Sequence, residues 1–248
     1  MAVEPIPNAP AAVADLDGER ALVVADYHAG LEADLRREGV ELESAADARR
    51  EQLLGLYAET NPDRLVVLGD LATAIGEPRG EERREIEALL DAVAAPITVV
   101  KGNHDGEIES VVGDREGVTV TDGAGVRLGP VGFAHGHTWP ATDVLAAETV
   151  CVAHEHPVVR LEDEVGGSRN ERVWLRGTVD PAPFEDHYDE ALDIAADMVV
   201  FPAFNDRSGG TWVNVTGRNF LSPYLPAGLD GGEAYLLDGT RLGPYDRI

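Results

Sequence analysis

Three short apolar runs, each breaking off into a polar cluster, limit most strongly what this chain can fold into. Arg20–Ala25 leads into Asp26-Tyr27-His28, Arg64–Leu68 into Gly69-Asp70, and Ile97–Val100 into Lys101-Gly102-Asn103-His104-Asp105. Apolar runs of this length, bounded in this way, read as buried strands. Asn, His and Asp at a strand end carry polar groups that must be satisfied, and a preceding glycine lets the backbone turn tightly. Between the runs, helices are expected over Leu31–Glu38, over Ser44–Glu59 with Ser44 as N-cap, and over Glu81–Val93 with Ile86, Leu89, Leu90 and Val93 on one face. The resulting β-α-β-α-β order is that of a layered α/β fold, in which catalytic groups collect at the carboxyl ends of strands.

The second half is denser in strands. Gly125–Leu128, Val131–Ala134, Thr149–Ala153, Met198–Phe201 and Tyr235–Leu237 are expected, with Val158–Leu161 pairing antiparallel with Arg172–Leu175. Glu185–Ala195 reads as a helix. Residues 1–19 are Pro- and Ala-rich and are expected to be irregular. No Ser/Gly/Pro-rich linker divides the 248 residues, so one domain over 1–248 is expected. Met1–Pro10 has neither a basic start nor an apolar segment of the secretory kind, and no stretch approaches the ~18 apolar residues of a membrane span. The single Cys151 excludes an internal disulfide and fits a reducing cytoplasm.

Composition matters for its charge. Asp and Glu total 46 against 20 Lys and Arg, a formal net charge of -26. Lys101 is the only lysine, and the acids are spread along the chain. Such self-repulsion destabilises a fold at low ionic strength, whereas at molar salt a Debye length of about 3 Å screens it. The balance implies a salt-adapted cytoplasmic protein resembling those of haloarchaea. Carboxylates this common make any single Asp weak evidence, so the histidines carry the information. Of seven, six fall in four tight groups: His28, His104, His135 with His137, and His154 with His156. Imidazole and carboxylate together suit borderline divalent ions such as Mn²⁺, Zn²⁺, Fe²⁺ or Co²⁺. On an extended segment residues i and i+2 point the same way, so Asp26 and His28 can bind one ion, and the same holds for His154 and His156. Asp70 can bridge two ions ~3.5–4 Å apart.

The pieces D-Y-H at 26–28, G-D at 69–70, G-N-H-D at 102–105, H-G-H at 135–137 and H-E-H at 154–156, in that order, resemble the calcineurin-like metallophosphoesterase superfamily. His28-Ala29-Gly30-Leu31-Glu32, His154-Glu155-His156-Pro157, Pro202-Ala203-Phe204-Asn205 and Leu221-Ser222-Pro223 extend the resemblance to the ICC-like archaeal phosphoesterases, a subgroup related to SbcD-type repair nucleases. The family usually has glycine before the last His pair, where this chain has Ala153. The resemblance implies a four-layer α/β/β/α sandwich and two divalent ions, manganese first, with zinc, iron, cobalt or nickel as alternatives. It implies Asp26, His28, Asp70 and His156 around one ion, and Asp70, Asn103, His135 and His154 around the other. His104 is then the general acid, Asp105 orients His104, with a structural role the plainer reading of that residue, and a hydroxide bridging the ions attacks phosphorus.

Other residues receive plainer readings. His137 stands beside the centre or contacts substrate. Pro202–Asn205 reads as a tight turn closing the core, with a place in the substrate pocket the lesser reading for Asn205 and Ser222. Lys101 is solvated or touches phosphate, and His187 is on the surface. Trp139, Trp174 and Trp212 read as packing. Arg49-Arg50 and Arg83-Arg84 read as solvated faces. The expected partner is a phosphoester, with a phosphodiester or nucleic acid favoured over a small phosphomonoester. The lack of a basic stripe weighs against nucleic acid, an objection that weakens in high salt. A metal-binding scaffold, as in the retromer subunit of this fold, is the alternative. The intact metal positions and His104 favour an enzyme.

Overall fold

The apolar runs of the first half become adjacent parallel strands because alternate residues have a core on either side to enter. The computed structural model describes residues 2–113, 115–163 and 166–248. Its first sheet has the order β1 (Val3–Pro5), β2 (Ala11–Asp15), β3 (Arg20–Ala25), β4 (Arg64–Leu68), β5 (Ile97–Val100) and β6 (Val118–Thr121). β3 to β6 are parallel, and β1 and β2 add antiparallel at the edge. Leu22, Val24, Leu65, Val67, Ile97 and Val99 face one way, into a core shared with Leu53 of α2 (Ala46–Thr60), Ile86 and Leu89 of α3 (Gly80–Ala92) and Val111 of α4 (Glu109–Val112). A short α1 (Leu31–Arg37) precedes them. Val23, Val66, Leu68 and Val100 face the other way, toward a second sheet.

That second sheet has eight strands. Along the chain they are β7 (Val126–Leu128), β8 (Val131–Ala134), β9 (Thr149–Val152), β10 (Val158–Glu162), β11 (Ser168–Val179), β12 (Asp197–Val200), β13 (Leu229–Leu236) and β14 (Arg241–Pro244). Their order is β14-β13-β11-β12-β9-β8-β7, with β10 paired to β11. Phe133, Cys151, Val199 and Phe201 point at the first sheet, where Trp174 and Phe201 meet with ring centroids 4.7 Å apart. Val150, Val152, Met198 and Val200 point outward, to a third core closed by α5 (Thr142–Leu145) and by Phe184 of α6 (Ala182–Tyr188). Two sheets face to face with helices outside make the expected four-layer sandwich. Among the described residues, no helix is long and apolar enough to cross a membrane.

Several expectations need correction. Residues 1–19 are not irregular: β1 pairs with β2 and β2 with β3, and Val3, Ala11, Ala12 and Ala14 are buried. Small side chains pack closely there, while Pro5 sits at the end of an edge strand, where a missing N–H costs no ladder bond. The helix expected over Glu185–Ala195 instead spans Ala182–Tyr188, with Pro181 at its start and Asp189 closing it at φ 52. Ser44 is not the N-cap of α2; its hydroxyl accepts from Ala46 N at 3.3 Å, one residue before the helix proper is capped by Ala45. Val158–Leu161 do pair antiparallel with β11, but against Arg169–Arg172, while Val173–Leu175 pair with β13. His187 does lie exposed at the surface, where its ring stacks on Trp139 at 4.1 Å.

Candidate metal centre

Every polar cluster picked out in the sequence lies at the carboxyl end of a parallel strand. D-Y-H follows β3, G-D follows β4 and G-N-H-D follows β5 in the first sheet; H-G-H follows β8 and H-E-H follows β9 in the second. Because β3, β4 and β5 are neighbours, and β8 and β9 are neighbours, the five loops converge on one spot between the sheets. Ligand atoms of Asp26, His28, Asp70 and His156 all lie within 4.8 Å of one another, as do those of Asp70, His135 and His154. Asp70 belongs to both groups. Asn103 and His104 line the same cavity, of about 910 Å³, as His28, Asp70, His154 and His156.

The convergence has a backbone cause that differs from the expected extended geometry. Asp26 (φ 53), His28 (φ 48), Asp70 (φ 46), His154 (φ 69) and His156 (φ 44) all adopt the left-handed conformation. That conformation costs a non-glycine residue about 1–2 kcal/mol, and such strain clusters at functional sites where the surroundings over-determine it. Here the surroundings are the residues between the donors. Tyr27 is fully buried and stacks on Phe204 at 5.8 Å, while Asn205 Nδ2 donates to the carbonyls of Tyr27 (3.3 Å) and His28 (3.2 Å). Glu155, also fully buried, accepts from Leu221 N (2.9 Å), Ser222 N (2.7 Å) and Thr211 Oγ1 (2.9 Å). Two glycines are required by close approach. A Cβ on Gly69 would overlap the His135 ring, and one on Gly102 would overlap the Asp70 carboxylate.

The donor set suits a divalent cation on its own chemistry. Asp26 Oδ2 and His28 Nδ1 are buried without a hydrogen-bond partner. His156 Nδ1 donates to Gly209 O at 2.7 Å, which leaves Nε2 facing inward, 3.2 Å from Asp26 Oδ1 and 3.4 Å from His28 Nε2. Burial pushes His28 and His154 down to about 3, so both rings are neutral and offer lone pairs. Burial also lifts Asp70, to about 6, with Asp26 and Asp105 adding repulsion. At His156 burial opposes the proton, but Asp26 outweighs it and raises the ring to about 9. The attraction that draws a proton to this carboxylate cluster draws a cation equally.

The remaining residues fall beside the groups. His137 stands against His135, Nδ1 to Nδ1 at 3.0 Å, and burial pushes it down to about 4. His104 presents Nδ1 to the carbonyl of Thr73, its backbone N–H donates to Asp70 Oδ1 at 2.9 Å, and its Nε2 stands 3.9 Å from Asp70 Oδ2. Asp105 has the structural place and does not reach His104 in the way the resemblance implies. Its oxygens accept from Gly102 N (2.9 Å), Ala72 N (3.0 Å) and Leu71 N (3.3 Å), so it ties the β4 and β5 loops together, and Thr73 is what orients His104. Lys101 is not turned to the cavity; it is partly exposed, and its Nζ donates to Gly106 O and pairs with the Glu109 carboxylate. Sequence reasoning missed Thr73, Glu155 and Gly209. Glu155 was visible inside H-E-H, but nothing in a chain so rich in acids marks one carboxylate as buried.

Comparison with known proteins follows the same lines. The family model described as "Calcineurin-like phosphoesterase" matches residues 19–221. No curated protein matches significantly. Among solved structures, the Pseudomonas putida nuclease MPE is 20% identical with a TM-score of 0.55, over 95% of this chain and 97% of that one. The E. coli phosphoesterase YfcE is 21% identical with a TM-score of 0.38, over 62% and 85%. The first of these supports the sandwich architecture. With the family model spanning most of its length, this chain belongs to the calcineurin-like phosphoesterases, a family of metal-dependent hydrolases.

Proposed function

We propose that the chain hydrolyses phosphodiesters, of nucleotide or nucleic-acid type, at a two-ion centre. The observation that carries this reading is that Asp70 lies in both groups of converging ligand atoms, the arrangement a bridging carboxylate needs. Asp26, His28, Asp70 and His156 would hold one divalent ion, and Asp70, Asn103, His135 and His154 the other, with manganese the first candidate. Such ions supply charge neutralisation at the phosphoryl oxygens and an activated water. The protein's own part is acid catalysis and positioning. A carbonyl only accepts, so Thr73 O fixes the proton of His104 on Nδ1. In the imidazolium form Nε2 then carries the second proton, on the cavity side, for the departing oxygen. The likeness to a protein described as a nuclease supports a nucleic-acid-type substrate. The net charge of -26 supports activity in concentrated salt, and the lone Cys151, buried between the sheets, supports a reducing compartment.

The test is hydrolysis of bis-p-nitrophenyl phosphate in molar KCl. Activity is expected with Mn²⁺, abolished by a chelator and restored on adding the ion back. Metal analysis of Asp70→Asn should show both ions lost. No hydrolysis with Mn²⁺, Zn²⁺, Fe²⁺, Co²⁺ or Ni²⁺, or undiminished metal content in Asp70→Asn, would overturn the proposal.

A further inference from the structure

Beyond the ligand loops, residues 208–212, 218, 219 and 221 form one wall of the cavity. Trp212 and Leu221 both face it, and Leu221 is 59% exposed, rare for a large apolar residue here. Arg218 lines it too, with its guanidinium 5.2 Å from the centroid of the Trp212 ring. Among the described residues that line the cavity, Arg218 is the only Lys or Arg, against Asp34 and Glu38 on the α1 side. A groove that tracks a phosphate backbone needs clustered basic side chains, and this one lacks them. An indole face layered with a guanidinium is instead a platform for a flat, uncharged ring.

We propose that Trp212 and Arg218 form a subsite that stacks a nucleobase of the substrate beside the metal centre, so that unpaired nucleotides, not duplexes, are the esters taken. This deepens the hydrolytic reading above and rests on it. The platform is rigidly referenced to the ligands. Thr211 N donates to Glu155 O at 2.9 Å and Thr211 Oγ1 to Glu155 Oε2 at 2.9 Å, within the H-E-H loop. Gly209 O receives His156 Nδ1, and Gly210 packs so closely on the His156 carbonyl that a Cβ would overlap it. Val158, two residues past His156, bridges to Trp212 itself, with Val213 N donating to Val158 O at 3.0 Å. Trp212 therefore keeps its distance from His154 and His156. Stacking also survives the molar salt in which phosphate contacts by Lys and Arg lose their counterion-release advantage. That fits a chain with few basic residues and strong negative charge.

Two measurements test this in molar KCl with Mn²⁺. Calorimetric binding compares AMP with ribose 5-phosphate, which lacks the base. Hydrolysis compares thymidine 5′-(p-nitrophenyl phosphate) with methyl p-nitrophenyl phosphate, which share a leaving group. Wild type should prefer the base-bearing member about 10-fold, the range of one base stacked on an aromatic ring. The preference should collapse toward one in Trp212→Ala, return in Trp212→Phe, and shrink in Arg218→Gln. Equal affinity for AMP and ribose 5-phosphate in wild type would overturn the subsite, as would a preference that survives Trp212→Ala or duplex DNA cut as fast as single strands. If AMP is preferred but no ester is hydrolysed, base binding at Trp212 is upheld, and the hydrolytic reading, with the subsite's place in it, fails.

Discussion

His104→Ala should lower kcat by about 10²–10⁴-fold, the usual contribution of a positioned general acid, while the protein keeps its metal ions. The side chain lies outside both groups of ligand atoms, with Nε2 3.9 Å from Asp70 Oδ2. Removing it takes away a proton donor and leaves the cage intact. The size of the loss should depend on the leaving group. p-Nitrophenolate departs readily without a proton, so its esters should suffer least, and an alkoxide such as a nucleoside hydroxyl most. Metal analysis and kinetics on both ester types would check this. Full activity on the alkoxide ester, or a variant stripped of metal, would remove His104 from the role of acid.

The second large effect concerns stability. Arg49, read from sequence as part of a solvated face, is 5% exposed. Its guanidinium binds Glu32 Oε1 at 3.1 Å and Oε2 at 3.2 Å, with Nε to Glu85 Oε1 at 2.8 Å. Glu85 Oε2 in turn accepts from Gly30 N at 2.8 Å, two residues past His28. Burial lifts both carboxylates, and Arg49 outweighs it at Glu32 but not at Glu85. Arg49→Ala leaves buried Glu85 with only Gly30 N and buried Glu32 with only the exposed Arg207, at 3.3 Å, and should cost about 3–5 kcal/mol, the penalty for breaking a buried ion pair from one side. Denaturant unfolding in molar KCl is the check, because buried pairs are screened far less than exposed ones. A loss under about 1 kcal/mol would match an exposed pair and would show that water reaches the triad.

The contrast between Asp26 and Arg49 explains what sequence could show. The centre was legible because histidine is scarce here and because each cluster ended an apolar run, two signals that need no three-dimensional knowledge. Why Asp26 and His28 converge was not legible. The i, i+2 argument assumed extended backbone, whereas both residues are left-handed, a choice fixed by Tyr27 and Asn205 reaching into packing that only the tertiary fold creates. Arg49 was illegible for the reverse reason: it sits among glutamates in a helix with no clear apolar face, and only its neighbours in α1 and α3 make it internal. β2 hid behind Pro and Ala, which favour no strand on their own, and the end of α6 was set by one residue, Asp189, adopting φ 52.

The left-handed turns at the ligands carry one more implication. Each pair of donors is wound around an interior anchor, Tyr27 in one loop and Glu155 in the other, so the shape of the cage is a property of the polypeptide and not of its guest. An ion entering it meets loops that need no refolding, and one species can exchange for another at little cost in conformation. Which element such a cage would take is then decided by the affinity of nitrogen and oxygen donors and by what its surroundings provide.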